Sequence, residues 1–251
     1  LRWRGSILKR LRVKVVNTPY RVKMRARWAD ATFRYTAKGL YGFRYSDYLR
    51  NIRQPFIFLD IGANQGLYSL ISIQNTNCMF AHAFEPVEQT FSWLMDNRSL
   101  SLNAHKLVLH QVAVGDVDQS MRITLGNSHS GLASLRQSRS NADSGLRTEQ
   151  IQCISARSLS PLIGDLAATA LVVKIDVEGF EPRVIESLMT SELETAIASV
   201  YFEVDEKWWD PAKIFTMLER KGFQRDFINV GSEDHHYDVL YSRHSEFAGH
   251  V

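Results

Sequence analysis

The stretch Phe56-Ile57-Phe58-Leu59-Asp60-Ile61-Gly62-Ala63-Asn64-Gln65-Gly66 decides the fold. Its continuous apolar run ends in an acid and a glycine, which reads as a parallel strand buried on both faces and followed by a tight turn. Residues 66–74 then continue with helical periodicity. Downstream, Met79–Phe84 reads as a second strand closed by Glu85-Pro86, residues 87–97 as a helix, and His110–Val114 as a third strand ending at Gly115-Asp116. This alternation predicts an α/β fold, an open sheet with helices on both faces. Residues 117–160 interrupt it: Met121–Leu125 and Leu132–Leu135 flank a polar turn and suggest a hairpin insertion, followed by a polar surface loop at 136–149. The sheet resumes at Leu171–Asp176, with a helix over Glu181–Thr195 and a strand over Ile197–Val204. Asp210-Pro211 opens a helix that Gly222 stops. Phe223–Val230 and Tyr237–Tyr241 are joined by too short a link for a crossover helix, so they form an antiparallel C-terminal hairpin.

The chain has 251 residues, 45% hydrophobic and 23% charged, enough for one catalytic-size domain with an appendage. Glycine and proline total only 20 residues, and no apolar run approaches membrane-spanning length, which argues against fibrous, disordered and integral membrane classes. The net charge of +3 hides a division. Residues 1–53 hold 15 of the 30 Lys and Arg but only two of the 27 acids, so a basic arm of +13 precedes a body, residues 54–251, of −10. Cys78 and Cys153 stand far apart without zinc-ligand spacing, and no metal site is expected. Free thiols and the lack of a signal-peptide pattern point to the cytoplasm.

Ligands of open α/β sheets sit beyond the carboxyl ends of the strands. Taking Gly62 as the first glycine, the other positions of a dinucleotide fingerprint hold Asn64 and Leu67, and no Gly-Lys-Ser/Thr follows, so the turn does not fit a pyrophosphate. Instead Asp60 stands at its entrance. Glu85, 23 residues beyond Gly62, is placed to accept the hydroxyl hydrogens of a ribose diol. Ribose without pyrophosphate, with acids at the turn, suggests a nucleoside joined to a cationic or amino-acid group, for which S-adenosyl-L-methionine is the leading candidate.

These residues, with Phe84-Glu85-Pro86, Ala113-Val114-Gly115-Asp116 and Val173-Lys174-Ile175-Asp176-Val177-Glu178-Gly179-Phe180-Glu181, resemble the FkbM family of class I methyltransferases from about residue 55 to 205. The resemblance implies a Rossmann-like, seven-stranded, mostly parallel sheet, S-adenosyl-L-methionine as methyl donor, and O-methylation of hydroxyls on sugars or polyketide-type products. It carries the cofactor-binding role onto Asp60, Gly62, Asn64, Gly66, Glu85, Ala113, Val114 and Asp176. The linker Ser158-Leu159-Ser160 departs from the Leu-Asp usual in the family, and residues 1–53 lie outside the resemblance.

Methyl transfer from a sulfonium to oxygen is an in-line displacement, helped by positioning and by a base that takes the hydroxyl proton. Asp176 and Glu178, two apart beyond a strand, are expected on one side: Asp176 toward the methionine end or acceptor, and Glu178 on the acceptor hydroxyl as base, with helix capping as the alternative for Glu178. Glu203 and Asp205 end the next strand and either line the cleft or are solvated. His235-His236 reads better as an exposed link than as a metal or base site, and His129 as a surface histidine. Trp208-Trp209 either stacks on a sugar or packs in the core, and Tyr35, Tyr41, Phe43, Tyr45 and Tyr48 are candidates for the acceptor wall.

Leu1, Ile7, Leu8, Leu11 and Val15 approximate one helical face among basic residues, so residues 1–16 suit an anionic membrane surface or lipid-linked glycan, nucleic acid, or a structural arm. The leading expectation is an O-methyltransferase acting on a sugar of a surface polysaccharide or glycosylated metabolite, cytoplasmic and peripheral at the membrane. The alternatives are an RNA methyltransferase and a non-catalytic nucleoside-binding module. The first is disfavoured because Asp176-Val177-Glu178-Gly179 replaces the Asn/Asp-Pro-Pro-Tyr/Phe element of many base N-methylases.

Overall fold

The computed structural model describes residues 14–125, 147–164, 169–230 and 235–243. Its first elements are the short antiparallel strands β1 (Val15–Asn17) and β2 (Lys23–Arg25), then helices α1 (Ala31–Lys38) and α2 (Arg44–Asn51). The decisive stretch forms β3 (Phe56–Ile61), all six residues buried, followed by α3 (Leu67–Ser72), β4 (Cys78–Phe84), α4 (Glu88–Arg98) and β5 (Leu107–His110). After an insertion come β9 (Ala170–Ile175), α6 (Glu181–Met189), β10 (Ile197–Asp205), α7 (Ala212–Arg220), β11 (Gln224–Val230) and β12 (His236–Ser242). The seven strands order as β11-β12-β10-β9-β3-β4-β5. Pairings are parallel from β5 to β10, while β12 runs antiparallel to both neighbours, the mostly parallel Rossmann-like sheet with a C-terminal hairpin. The chain proceeds from β3 outward to β4 and β5 on one side and resumes with β9 on the other, and this switch in strand order opens a crevice at the carboxyl ends of β3, β4 and β9.

The insertion builds a second sheet of order β6-β8-β7, from β6 (Ala113–Gly115), β7 (Gln119–Leu125) and β8 (Arg147–Ser155), followed by α5 (Ala156–Ile163). This corrects the single strand expected over His110–Val114. The chain leaves the main sheet at His110 and joins the second at Ala113, a change of sheet that a continuous apolar pattern does not reveal. Within the insertion β7 pairs antiparallel with β8; the partner expected for Met121–Leu125 was Leu132–Leu135. That segment, His129 and loop residues 136–146 lie outside the described residues. The helix expected over Glu181–Thr195 ends at Met189, and a 3-10 turn spans Glu192–Ala196.

Residues 14–51, on the arm side of the boundary drawn at 53, share a core with the sheet. Tyr20, Met24, Phe33 and Leu49 are fully buried together with Phe56, Phe58 and Ile71. Burial of such side chains is worth roughly 1.5–3 kcal/mol each. Tyr45 stacks on Tyr201 with centroids 3.7 Å apart, and the Tyr48 hydroxyl donates to Ser199 Oγ at 2.8 Å. The basic side chains bond at the periphery: Arg27 pairs with Asp96 at 2.6 Å, and Arg50 with Asp47 at 3.2 Å. Residues 1–13, most of the proposed membrane-facing segment, lie outside the described residues, and its last residues are corrected: Val15 and Val16 belong to β1, with Val16 buried in the core. Among the described residues no helix is long and apolar enough to cross a membrane.

Candidate active site

The turn after β3 is shaped by two close approaches. Gly62 has φ +76°, and a Cβ there would fall 1.9 Å from the Asp176 carbonyl oxygen, so no other residue fits without moving backbone. Gly66, at φ +84°, opens α3 against Leu94, whose Cδ1 would lie 2.4 Å from a Cβ. Between them Asn64, also left-handed at φ 49°, donates its backbone N–H to Glu85 Oε2 at 3.0 Å. Val87 N–H donates to Glu85 Oε1 at 3.0 Å. The carboxylate is thereby fixed at the end of β4 with a rigid orientation and only 6% of the residue exposed. Burial raises its pKa from 4.5 to about 7, against the two N–H donors, which favour the charged form.

Behind this turn stands a buried ion network that the sequence reading missed. Lys174, 3% exposed, donates to the Gly62 carbonyl at 2.7 Å and lies 3.4 Å from Asp60 and 3.3 Å from Asp176. Burial opposes its charge, but Asp176 and Asp60 outweigh burial and raise its pKa. The other oxygen of Asp60 accepts from the Ser69 N–H at 3.0 Å and its hydroxyl at 2.6 Å, tying α3 to β3.

Beyond β9 the chain does not stay extended, contrary to the expectation that placed Asp176 and Glu178 on one side of a strand. The buried Glu181 accepts from Val177 N–H at 2.8 Å and from Gly179 N–H at 2.9 Å, folding the loop and holding Glu178 in the left-handed region at φ 55°. A non-glycine residue in that region is held there at a cost, and such positions cluster at functional sites. Both Asp176 and Glu178 still face one cavity. Burial, then the charges of Asp176 and Glu203, raise the pKa of Glu178.

The third wall comes from β10 and β12. Register sets Glu203 beside Asp238 and Asp205 beside His236. His236 Nε2 bonds Glu203 Oε1 at 2.6 Å, and this bond raises the histidine to about 9 despite burial, which acts the other way. Asp238 accepts from the Tyr201 hydroxyl at 2.8 Å and from Asn229 Nδ2 at 3.3 Å, and burial raises it to about 7.

These walls enclose a cavity of about 650 Å³. Of the residues expected to bind cofactor, Gly62, Asn64, Glu85, Ala113, Val114 and Asp176 line it; Asp60 and Gly66 do not, and support the turn from behind. Glu178 and Glu203 line it as well, while Asp205 accepts instead from the Lys207 N–H at 2.9 Å. Tyr35 and Tyr41 belong to the wall, whereas Tyr45 and Tyr48 are core and Phe43 packs on Tyr20. His236 reaches the cavity and its neighbour His235 does not; Trp209 packs on Phe202. Sequence reasoning missed Lys174, Asn229 and Asp238. A lone cation within the apolar Leu171–Ile175 strand, level with two acids, is the signal that marks Lys174. Among the described residues no group of three or more His, Cys, Asp or Glu is arranged to hold a metal ion.

The sequence matches the family described as the methyltransferase FkbM domain over residues 60–225. A curated relative, Methyltransferase 1 of Beauveria bassiana (strain ARSEF 2860), is 30% identical over 179 residues, covering 66% of this chain and 71% of that protein. Among solved structures, methyltransferase FkbM from Methylobacillus flagellatus KT aligns over 84% of this chain and 52% of its own, with 17% identity and a TM-score of 0.49. M. capricolum TrmK, in complex with its cofactor product S-adenosyl-homocysteine, aligns over 80% of this chain and 68% of its own, with 10% identity and a TM-score of 0.47.

Proposed function

We infer, because this chain belongs to the FkbM methyltransferase family, whose methyl donor is S-adenosyl-L-methionine, that it methylates a hydroxyl oxygen of a sugar, on a polysaccharide or a glycosylated metabolite. The observation that carries this reading is the placing of Glu85 and Glu178 at carboxyl ends of parallel strands, on the walls of one cavity. The residues present fit the cofactor. Glu85 has lone pairs beyond those used by Asn64 and Val87, suited to a ribose diol, and Ala113 and Val114 offer an apolar wall to a purine. Gly62 keeps the turn open where a side chain would fill it, and Asp176 and Glu178 suit a cationic centre. The bound cofactor supplies an electrophilic methyl group.

The chain's own residues orient the acceptor and handle its proton. Glu178 takes the hydroxyl proton as the oxygen–methyl bond forms, and Asp176 and Lys174 fix the field around it. Burial favours the protonated Glu178; a cation bound beside it favours the carboxylate that acts as base. The carboxylates Glu178, Glu203 and Asp238 at this end suit hydroxyl hydrogens better than the phosphates of a nucleic acid. The reaction is assigned to the cytoplasm, with the basic residues before β1 suited to a membrane surface presenting a lipid-linked acceptor.

Calorimetric titration with S-adenosyl-L-methionine, followed by transfer of labelled methyl to a panel of glycosides, tests the reading. Binding with transfer to sugar hydroxyls is expected; binding with transfer to RNA bases alone would overturn the O-directed assignment.

A further inference from the structure

The acceptor end of the cavity is closed by residues outside the 60–225 stretch that matches the family. These are Tyr35, Leu40 and Tyr41, from α1 and the loop after it, together with Asn229 and His236. Two left-handed glycines shape this loop. Gly39 at φ 72° caps α1, with its N–H bonded to the Thr36 carbonyl at 3.1 Å, and Gly42, also at φ 72°, turns the chain towards Asn229, whose Oδ1 would lie 3.8 Å from a Cβ.

Two large side chains of α1 and the loop after it are exposed towards the cavity rather than packed in the core. α1 buries Ala31, Thr32, Phe33 and Thr36 against the body, yet Tyr35 is 43% and Leu40 61% exposed, and both line the cavity. Tyr35 meets Tyr41 edge to face, centroids 6.2 Å apart and planes at 75°, an arrangement that fixes the ring. The wall is also tied to the cofactor turn: Asp30 caps α1 through the Phe33 N–H at 2.8 Å and accepts from Gln65 Nε2 at 2.7 Å. The same cavity is also lined by the carboxylates Glu178, Glu203 and Asp238. An acceptor matching both sets of residues is amphipathic, with hydroxyls towards Glu178 and Glu203 and an apolar ring or aglycone against Tyr35 and Leu40.

We propose that Tyr35 and Leu40 are specificity-determining residues that select acceptors carrying an apolar or aromatic group next to the methylated sugar. The proposal rests on the assignment of the cavity to methyl transfer. The test uses the full chain saturated with S-adenosylhomocysteine, titrated with phenyl β-D-glucopyranoside and methyl β-D-glucopyranoside. The phenyl glycoside should bind about tenfold tighter, the scale of one aromatic contact. Tyr35→Ala combined with Leu40→Ser should abolish that preference, Tyr35→Phe should keep it, and S-adenosylhomocysteine affinity should stay unchanged in both. Equal affinities in the unaltered protein, a preference that survives the double substitution, or binding of neither glycoside overturns the proposal. Failure of S-adenosylhomocysteine itself to bind would instead refute the underlying assignment.

Discussion

Replacing Glu85 with glutamine separates two roles of one carboxylate. Burial raises its pKa from 4.5 to about 7, so the folded protein holds this proton more tightly than the unfolded chain. The stabilisation is complete below 4.5 and is lost as pH rises through about 7. At about 1.4 kcal/mol per tenfold difference in proton affinity, the loss amounts to roughly 3 kcal/mol. Glutamine cannot ionise and removes this dependence; it also keeps only one acceptor for the two N–H groups of Asn64 and Val87, a pH-independent cost of about 1–3 kcal/mol. Urea unfolding of both proteins should therefore show the native protein's advantage over Glu85→Gln shrinking by roughly 3 kcal/mol across the interval in which Glu85 ionises. Over the same interval the native protein's affinity for S-adenosylhomocysteine should rise with pH, because diol hydrogens favour the ionised carboxylate, and Glu85→Gln should bind about ten- to a hundredfold more weakly. A stability difference that stays flat with pH would refute the reasoning.

Other consequences follow from the same geometry. Lys174→Met leaves Asp60 and Asp176 without their shared cation and should cost about 3–5 kcal/mol in chemical denaturation. Gly62→Ala sets a methyl group against the Asp176 carbonyl and should destabilise by about 3 kcal/mol or more, or prevent folding, as read by circular dichroism. Glu178→Gln should leave cofactor affinity within a few-fold while reducing turnover about a hundredfold or more, measured by labelled methyl transfer. The His236 titration, followed by NMR, should be near 9 and fall by at least a unit in Glu203→Gln, which removes the carboxylate's charge and charge-assisted hydrogen bond while burial still opposes the charge and Asp205 and Asp238 still favour it.

The strands of the main sheet were legible because burial on both faces leaves unbroken apolar runs, as at Phe56–Ile61 and Leu171–Ile175. The passage from β5 to β6 was not, since apolar periodicity records burial and is blind to which sheet provides it. In residues 14–51 charge concealed a core: Val16, Tyr20, Met24 and Phe33 are interleaved with Arg and Lys whose stems lie at the periphery. Asp60 was read as facing the ligand because acids at strand ends commonly do; Ser69 and Lys174 turn it inward, a long-range pairing that local spacing does not encode. His236 and Asp238 reach the cavity only because β12 folds back antiparallel on β10, which sets them beside Asp205 and Glu203.

Whether one cavity holds the methyl donor, with Glu85 on its ribose, is open to a direct measurement. Calorimetry with S-adenosyl-L-methionine tests it most directly. One site per chain is expected, strongly weakened in Glu85→Ala while circular dichroism reports an intact fold. Absence of binding to the native protein, or unchanged affinity in Glu85→Ala, would contradict it.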